Sequence, residues 1–353
     1  MAPRAPLFVS GLFLSLSNAK RIARCAFPLF ALGVILAASV AYGATRARQS
    51  TGKSARTQMP APGATRVVTD QMGRKVRLPV RVGRVVSLAP NDTDILYSLG
   101  AANKIAGVTD FSVTPPGQPK KPSVGEPLDP SLEEIVSLKS DVVLADRSIN
   151  RQQTVESLDR LGIPVYVTDA HSVEQMFDSV QQIADLIGMK AAGEKLVGKM
   201  KTRLDALRAR LAGQPATRVL FVVWEEPLIT TGENTFIADA LRWADARSVI
   251  RLHEDWPHIS LEDVVHLQPS VLIFPASNGG TPSSIERTLR RREGWRELKA
   301  VRDGRVIVVS AAINRPSPDL VGAIEQLARQ LHPAAFANGR APIAAGANRT
   351  AGR

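Results

Sequence analysis

Glu133 and Glu262 stand at the same point of a segment that the chain uses twice, 129 residues apart. Residues 130–145 read Pro-Ser-Leu-Glu-Glu-Ile-Val-Ser-Leu-Lys-Ser-Asp-Val-Val-Leu-Ala. Residues 259–274 read Ile-Ser-Leu-Glu-Asp-Val-Val-His-Leu-Gln-Pro-Ser-Val-Leu-Ile-Phe. One use of an acid in the first turn of a helix is to favour the helix dipole, worth about 0.3–1 kcal/mol. A matched pair on two similar units has another use. It makes two acidic knobs on one edge, suited to a partner with two basic sockets. The chemistry is ionic recognition.

The elements around the two glutamates follow from the same segments. Ser131 and Ser260 sit where an N-cap belongs, and Glu134 and Asp263 stand three residues on, spaced to reach back in a capping box. Leu132, Ile135, Val136 and Leu138 keep helical spacing, as do Leu261, Val264, Val265 and Leu267. The runs 142–145 and 271–274 are continuous and rich in β-branched residues, as in a parallel strand covered on both faces. One unit used twice implies two similar lobes.

The 353 residues suggest two domains, and 44% hydrophobic content supplies a core for each. The formal charge of +12 resembles a nucleic-acid signature until it is located. Residues 1–66 carry Arg4, Lys20, Arg21, Arg24, Arg46, Arg48, Lys53, Arg56 and Arg66 without one acid, and residues 334–353 add Arg340, Arg349 and Arg353. The body between them is therefore neutral, which argues against a nucleic-acid partner. Lys20, Arg21 and Arg24, the apolar stretch from Ala26 to Val40 and the small residues Ala41-Tyr42-Gly43-Ala44 read as a signal peptide over 1–44, with an uncleaved anchor as the alternative. The single cysteine, Cys25, falls within it, so the exported protein carries no disulfide and the periplasm is the expected compartment.

Residues 45–65 lack large apolar side chains and read as a disordered linker. The expected order is then an N-terminal α/β lobe over 66–188, a connecting helix over 189–213, a C-terminal α/β lobe over 214–333 and a disordered tail over 334–353. The first lobe opens with a hairpin turning near Met72-Gly73 and continues as strands at 84–88, 105–108, 142–145 and 165–167, alternating with helices. Leu196, Val197, Met200, Leu204, Leu207 and Leu211 give the connector one apolar stripe after a break at Gly188. The second lobe repeats the plan with strands at 218–223, 271–274 and 306–309, and its last helix ends near Leu331. The fold class is α/β: two similar lobes joined by one long α-helix.

In such lobes a ligand sits beyond the carboxyl ends of the strands. That rule nominates Asn91, Phe111, Arg147, Trp224, Trp256, Asn278 and Arg315. Trp256 lies in a loop beside Pro257, where an indole can stack on a flat macrocycle while Asn91 or the loop at 277–280 hydrogen-bonds peripheral amides. Trp224 serves equally as a strand cap, and Trp243 and Trp295 read as core. Arg147 and Arg315 suit an anionic chelate instead, and Arg315 doubles as a helix-start residue.

The segments Arg84-Val-Val-Ser-Leu-Ala-Pro-Asn-Asp-Thr-Asp-Ile-Leu, Gly107-Val-Thr-Asp-Phe with Pro-Pro downstream, Pro130-Ser-Leu-Glu, Asp255-Trp-Pro-His-Ile-Ser-Leu-Glu and Arg315-Pro-Ser-Pro resemble the periplasmic binding proteins of cobalamin and ferric-siderophore ABC importers. The resemblance covers about 66–333. It implies two Rossmann-like lobes joined by one long α-helix, a ligand cleft between the lobes, and an exposed glutamate on each lobe docking onto arginines of the membrane permease. Glu133 and Glu262 fall at those positions. Cobalamin-binding members carry a tryptophan in the matching Trp-Pro motif. Phe111 stands where some of them have tyrosine, and the loop 122–129 lacks the second tryptophan that some use. A corrinoid is the first expectation, a ferric siderophore the second and haem the third, carried by a monomer without a cofactor of its own.

Two other classes fit poorly. A receptor for a bare metal ion needs three or four clustered ligands, and only His253 and His258 of the five histidines are close in sequence. His253 and His258 read as rim or surface residues, His266 as part of the second capped helix and His332 as lying near the exposed chain end. An enzyme would need a constellation that is missing: there is no Gly-x-Ser-x-Gly and no His-Glu-x-x-His. Gly188–Lys195 imitates a phosphate loop but has Glu194 where its lysine belongs.

Overall fold

The computed structural model describes residues 63–337, which belong to one compact unit of the chain. The signal peptide, Cys25, most of the linker and the tail from 338 lie outside the described residues. Among the described residues no helix is long and apolar enough to cross a membrane.

The chain opens with the antiparallel hairpin β1 (Thr65–Thr69) and β2 (Lys75–Pro79), so the first strand begins inside the segment read as linker. Asp70 closes its turn by accepting from the backbone N–H of Met72 and Arg74. The N-terminal lobe follows as β3 (Val85–Ser87), α1 (Pro90–Ser98), β4 (Ile105–Val108), α2 (Leu132–Ser137), β5 (Val142–Asp146), α3 (Gln152–Arg160) and β6 (Val165–Thr168). Its four strands are parallel in the order β4-β3-β5-β6. Helix α1 starts at Pro90, because proline at the first position needs no intrahelical N–H bond and already has a helical φ.

Two helices lead to the second lobe, α4 (Val173–Leu186) and α5 (Lys190–Leu211), separated at Gly188, whose φ of 74° only glycine adopts cheaply. At about 1.5 Å per residue, the 22 residues of α5 span roughly 33 Å. The C-terminal lobe comprises β7 (Thr217–Phe221), the short hairpin β8 (Trp224–Glu225) and β9 (Leu228–Ile229), α6 (Phe236–Trp243), β10 (Ala246–Ser248), α7 (Leu261–Leu267), β11 (Val271–Pro275), α8 (Pro282–Leu289), α9 (Lys299–Arg302) and β12 (Val306–Val309). Its parallel sheet runs β10-β7-β11-β12, the order of the first lobe with each strand replaced by its counterpart. The chain then closes with α10 (Leu320–Leu331) and α11 (Pro333–Ala337).

Strand β10 is not among the expected strands; at three residues, one of them exposed, it leaves no run in the sequence. Helix α11 stands in the segment read as tail, and its Phe336 packs on the core while Arg210 and Arg329 lie over its ring. His332 is buried as well, with Nε2 3.2 Å from the carbonyl of Ala244, so it sits inside the chain end and not on it.

The duplication extends to single hydrogen bonds. Arg84 donates to the carbonyl of Leu138 at 2.7 Å, and Arg218 donates to the carbonyl of Leu267 at 2.8 Å. The N–H of Asp141 bonds to the carbonyl of Arg84, and that of Ser270 to the carbonyl of Arg218. Each helix of the repeated unit is therefore anchored at its carboxyl end to the start of the first parallel strand of its lobe, β3 or β7. At the amino end Ser131 and Ser260 accept from the N–H of Glu134 and Asp263 at 3.2 and 3.0 Å. The reciprocal half of the capping box is not formed. The Ser131 hydroxyl turns to Glu133 and the Ser260 hydroxyl to Asp263; the box found in the structure is Thr281 with Ser284 on α8.

Alternation along the strands divides the core into layers. Val86, Val143 and Val165 face Ile135 of α2 and Leu158 of α3. Leu220, Leu272 and Phe274 face Val264 of α7, Leu289 of α8 and Trp295. The opposite faces of both sheets, through Val85, Leu144, Phe221 and Ile273, join α4, α5, α6 and α10 in one continuous apolar body. Met200, Leu204, Leu207 and Leu211 of the connector are buried in it. Because the lobes share this core, moving them apart as rigid bodies would break close-packed contacts, which favours small adjustments over wide opening.

Candidate functional site

The carboxyl ends of both sheets carry the loops that hold the nominated residues. On the N-terminal lobe, Phe111 follows β4 and is 57% exposed, with no apolar cover of its own. On the C-terminal lobe, Trp256 lies between β10 and α7 and is 39% exposed. Its loop is fixed by backbone bonds from Thr230 to Pro257, Gly232 to Asp255 and Ile259 to Leu228. A side chain at position 232 would have its Cβ 1.8 Å from the carbonyl oxygen of Glu254, so only glycine permits this approach. Trp224, in β8, is half-buried and gives its indole N–H to the carbonyl of Glu226 at 2.8 Å. Asn278 is exposed and donates to the carbonyl of Val223 at 3.0 Å, which places it beside the Trp224 hairpin.

The two arginines are not free. Arg147, beyond β5, reaches Asp169 at 3.4 Å, and Asp169 also takes the Nε2 of His171 at 2.8 Å. The Arg147 side chain lines a groove of about 540 Å3 between the hairpin turn, at Met72 and Arg74, and α3, at Gln152 and Glu156. Arg315, beyond β12, has Nε 3.2 Å from Oδ2 of Asp94 on α1, so that pair joins the two lobes. Nothing in the sequence marks Asp94, Asp169 or His171 as site residues. Asp94 stands in Asn-Asp-Thr-Asp at a helix start, where acids suit the dipole and conceal any other use.

Asn91 does not present its side chain to a cleft. It is 2% exposed, and Nδ2 donates to Asp146 Oδ2 at 2.9 Å. The Thr168 hydroxyl lies 3.1 Å from Asp92 and 3.5 Å from Asp146, between two buried carboxylates. Burial pushes the carboxyl of Asp92 well above its ordinary pKa, and the charge of Asp146 adds to this. Burial also raises Asp146, against the hydrogen bonds it accepts from Ser148 and Asn91. Asn91 thus orders the floor beneath the β5 loop.

Glu133 and Glu262 are both exposed, each in the first turn of its capped helix. His253, His258 and His266 are exposed too, and the described residues contain no cluster of three or more His, Cys, Asp or Glu able to hold a metal ion. Trp295 is buried; Trp243 is half-buried under the guanidinium of Arg208, 4.2 Å from the ring centre.

Two matched parallel sheets, a helical bridge and open aromatic residues at the sheets' carboxyl ends describe a binder of solutes. A family model described as periplasmic binding protein matches residues 85–312, which take in both sheets and both capped helices. The chain belongs to the periplasmic binding protein family. An uncharacterized ABC transporter substrate-binding lipoprotein of Bacillus subtilis is 28% identical over 277 residues, covering 76% of this chain and 86% of that protein. A vitamin B12-binding protein of Vibrio vulnificus is 26% identical over 248 residues, covering 70% of this chain and 89% of that one. The solved periplasmic vitamin B12 binding protein BtuF of Vibrio cholerae superimposes with a TM-score of 0.61 at 24% identity, covering 73% of this chain and 99% of that one, and speaks for the fold. This periplasmic binding protein, like those relatives, binds a substrate and is not an enzyme. The Bacillus subtilis relative is a substrate-binding lipoprotein of an ABC transporter, which implies a permease of that class as partner.

Proposed function

We propose that this periplasmic binding protein captures a corrinoid and delivers it to the permease of an ABC importer in the inner membrane. One observation carries the reading. The exposed rings of Phe111 and Trp256 stand on opposite lobes, while the guanidiniums of Arg147 and Arg315 are each matched by a carboxylate. Exposed aromatic surface offset by paired charge favours a broad, flat ligand of low net charge over a polyanion. A vitamin B12-binding relative supports the same choice. Trp224 and Asn278 add a second indole and an amide beside the Trp256 lobe.

Delivery rests on Glu133 and Glu262, which we assign to two basic sockets on the permease. Their helices are held alike in both lobes, by Arg84 and by Arg218, so the two carboxylates are presented by equivalent supports. The protein acts as a monomer without a cofactor of its own, and the metal arrives within the cargo.

A ferric siderophore is the second reading, favoured by the exposed Arg147 at its groove. Quenching of tryptophan fluorescence by cobalamin, a ferric catecholate, a ferric hydroxamate and haem, titrated in parallel, decides between them. Saturable quenching by cobalamin at the lowest concentration is the expected result. Tighter binding of the catecholate would replace the corrinoid reading with the siderophore one.

A further inference from the structure

The pair that joins the lobes is poorly made. Asp94 Oδ2 and Arg315 Nε are 3.2 Å apart but too poorly aligned for a hydrogen bond, and the buried Ser317 hydroxyl comes close enough to the same carboxyl to pull its pKa down without completing a well-formed bond. A structural ion pair removed from water is stabilising only when it is well aligned and its remaining donors and acceptors are satisfied. Here burial wins. The carboxyl of Asp94 is raised to about 6 even with Arg315 against it, and Asp319 adds to the rise. The charged groups around Asp94 are Arg315 and Asp319 from the opposite lobe and Asp92 from its own helix. Both partners lie just beyond the carboxyl ends of core strands, β3 and β12, where cargo is expected.

We propose that Asp94 is a specificity-determining residue: it occupies the guanidinium of Arg315 and so withholds it from anionic cargo. This rests on placing the cargo between the lobes, but not on the cargo being a corrinoid. The Asp94 carboxylate competes with any anionic group of a ligand for the same guanidinium. A neutral chelate does not enter that competition. Removing the charge of Asp94 releases Arg315, whose planar fork then donates to a carboxylate or catecholate oxygen. Protonating Asp94 does the same, so the wild-type protein becomes more tolerant of anions as the pH falls through about 6.

The test uses the full chain and two iron chelates of similar size, a trianionic ferric catecholate and a neutral ferric hydroxamate, both followed by tryptophan quenching. Asp94→Asn is expected to raise the catecholate-to-hydroxamate affinity ratio by about tenfold or more, the scale of one charge-assisted contact. Asp94→Glu keeps the charge and the wild-type ratio. Adding Arg315→Gln to Asp94→Asn removes the gain, which separates release of that guanidinium from a general loosening of the cleft. Lowering the pH from about 7.5 to about 5 raises the ratio in the wild type more than in Asp94→Asn, whose own slope measures the titration of the ligands. A ratio that Asp94→Asn leaves unchanged, a gain that survives Arg315→Gln, or no catecholate binding by any variant would overturn the proposal. Absence of cobalamin binding would remove the corrinoid reading alone.

Discussion

Lys139 and Gln268 share one unusual backbone conformation, with φ of 46° and 45°, each just past the capped helix of its lobe. They stand at equivalent positions of the repeat. A left-handed residue there stops the helix and turns the chain into the buried strand. Neither is glycine, so both carry a conformational cost of roughly 1–2 kcal/mol that tertiary contacts offset. The offset differs. Gln268 accepts from the N–H of Lys299 at 3.0 Å and donates to the carbonyl of Val265 at 2.8 Å, whereas Lys139 is exposed and its side chain makes no such bonds among the described residues.

Lys139→Gly should therefore stabilise the protein by about 1 kcal/mol, because glycine relieves the strain and little else changes. Gln268→Gly should be neutral or destabilising, since the same relief is cancelled by two lost hydrogen bonds worth about 1 kcal/mol each. Urea unfolding of both variants reads the difference directly. Equal gains at the two sites would show that the Gln268 contacts contribute nothing.

Replacing Glu133 and Glu262 together by alanine should abolish stimulation of the permease's ATPase and leave cargo affinity as it was. Both side chains are exposed and outside the core, so the fold is expected to survive. The single variants should act in the same direction with smaller effect. Stimulation that persists in the double variant would exclude these acids from docking.

Trp256→Ala should weaken cargo binding by about 2 kcal/mol or more, the loss typical of an aromatic anchor, and Phe111→Ala by at least 1 kcal/mol. Thermal stability should move less than affinity, because Phe111 and Trp256 are 57% and 39% exposed and neither belongs to the packed core. A large fall in the melting temperature with unchanged affinity would assign them to the fold.

The buried Asp94 gives stability a pH dependence of definite sign. Its folded pKa, about 6, lies above the ordinary 3.8, so the folded state holds this proton more tightly than the unfolded chain. The associated stabilisation is complete below pH 3.8 and is lost as the pH rises through about 6, by an amount on the order of 3 kcal/mol. Compared with Asp94→Asn, the wild type should thus lose stability between about pH 4 and about pH 6.5. Urea midpoints for both proteins across that range test it, and parallel curves would show that Asp94 titrates normally.

Much of this is legible in the sequence alone. The run Val142–Ala145 and its counterpart Val271–Phe274 have no polar alternation, so burial on both faces followed at once. The Ser131 and Ser260 caps are local, set by a hydroxyl and an N–H three residues away. Strand β10 could not be read, because a three-residue edge strand is specified by the partner it pairs with and not by its own residues.

The sequence by itself determined the two-lobed α/β plan, the repeat, the caps and the exposed position of its two glutamates, since helical spacing, apolar runs and N-caps act over a few residues. Only the tertiary structure decided which nominated polar groups stay available. Asn91 turns inward to Asp146, Arg147 meets Asp169 and Arg315 meets Asp94. Each of those partners is between 22 and 221 residues away along the chain. Whether a charge is free or matched depends on distances that folding alone sets, and pattern along a chain carries no measure of them.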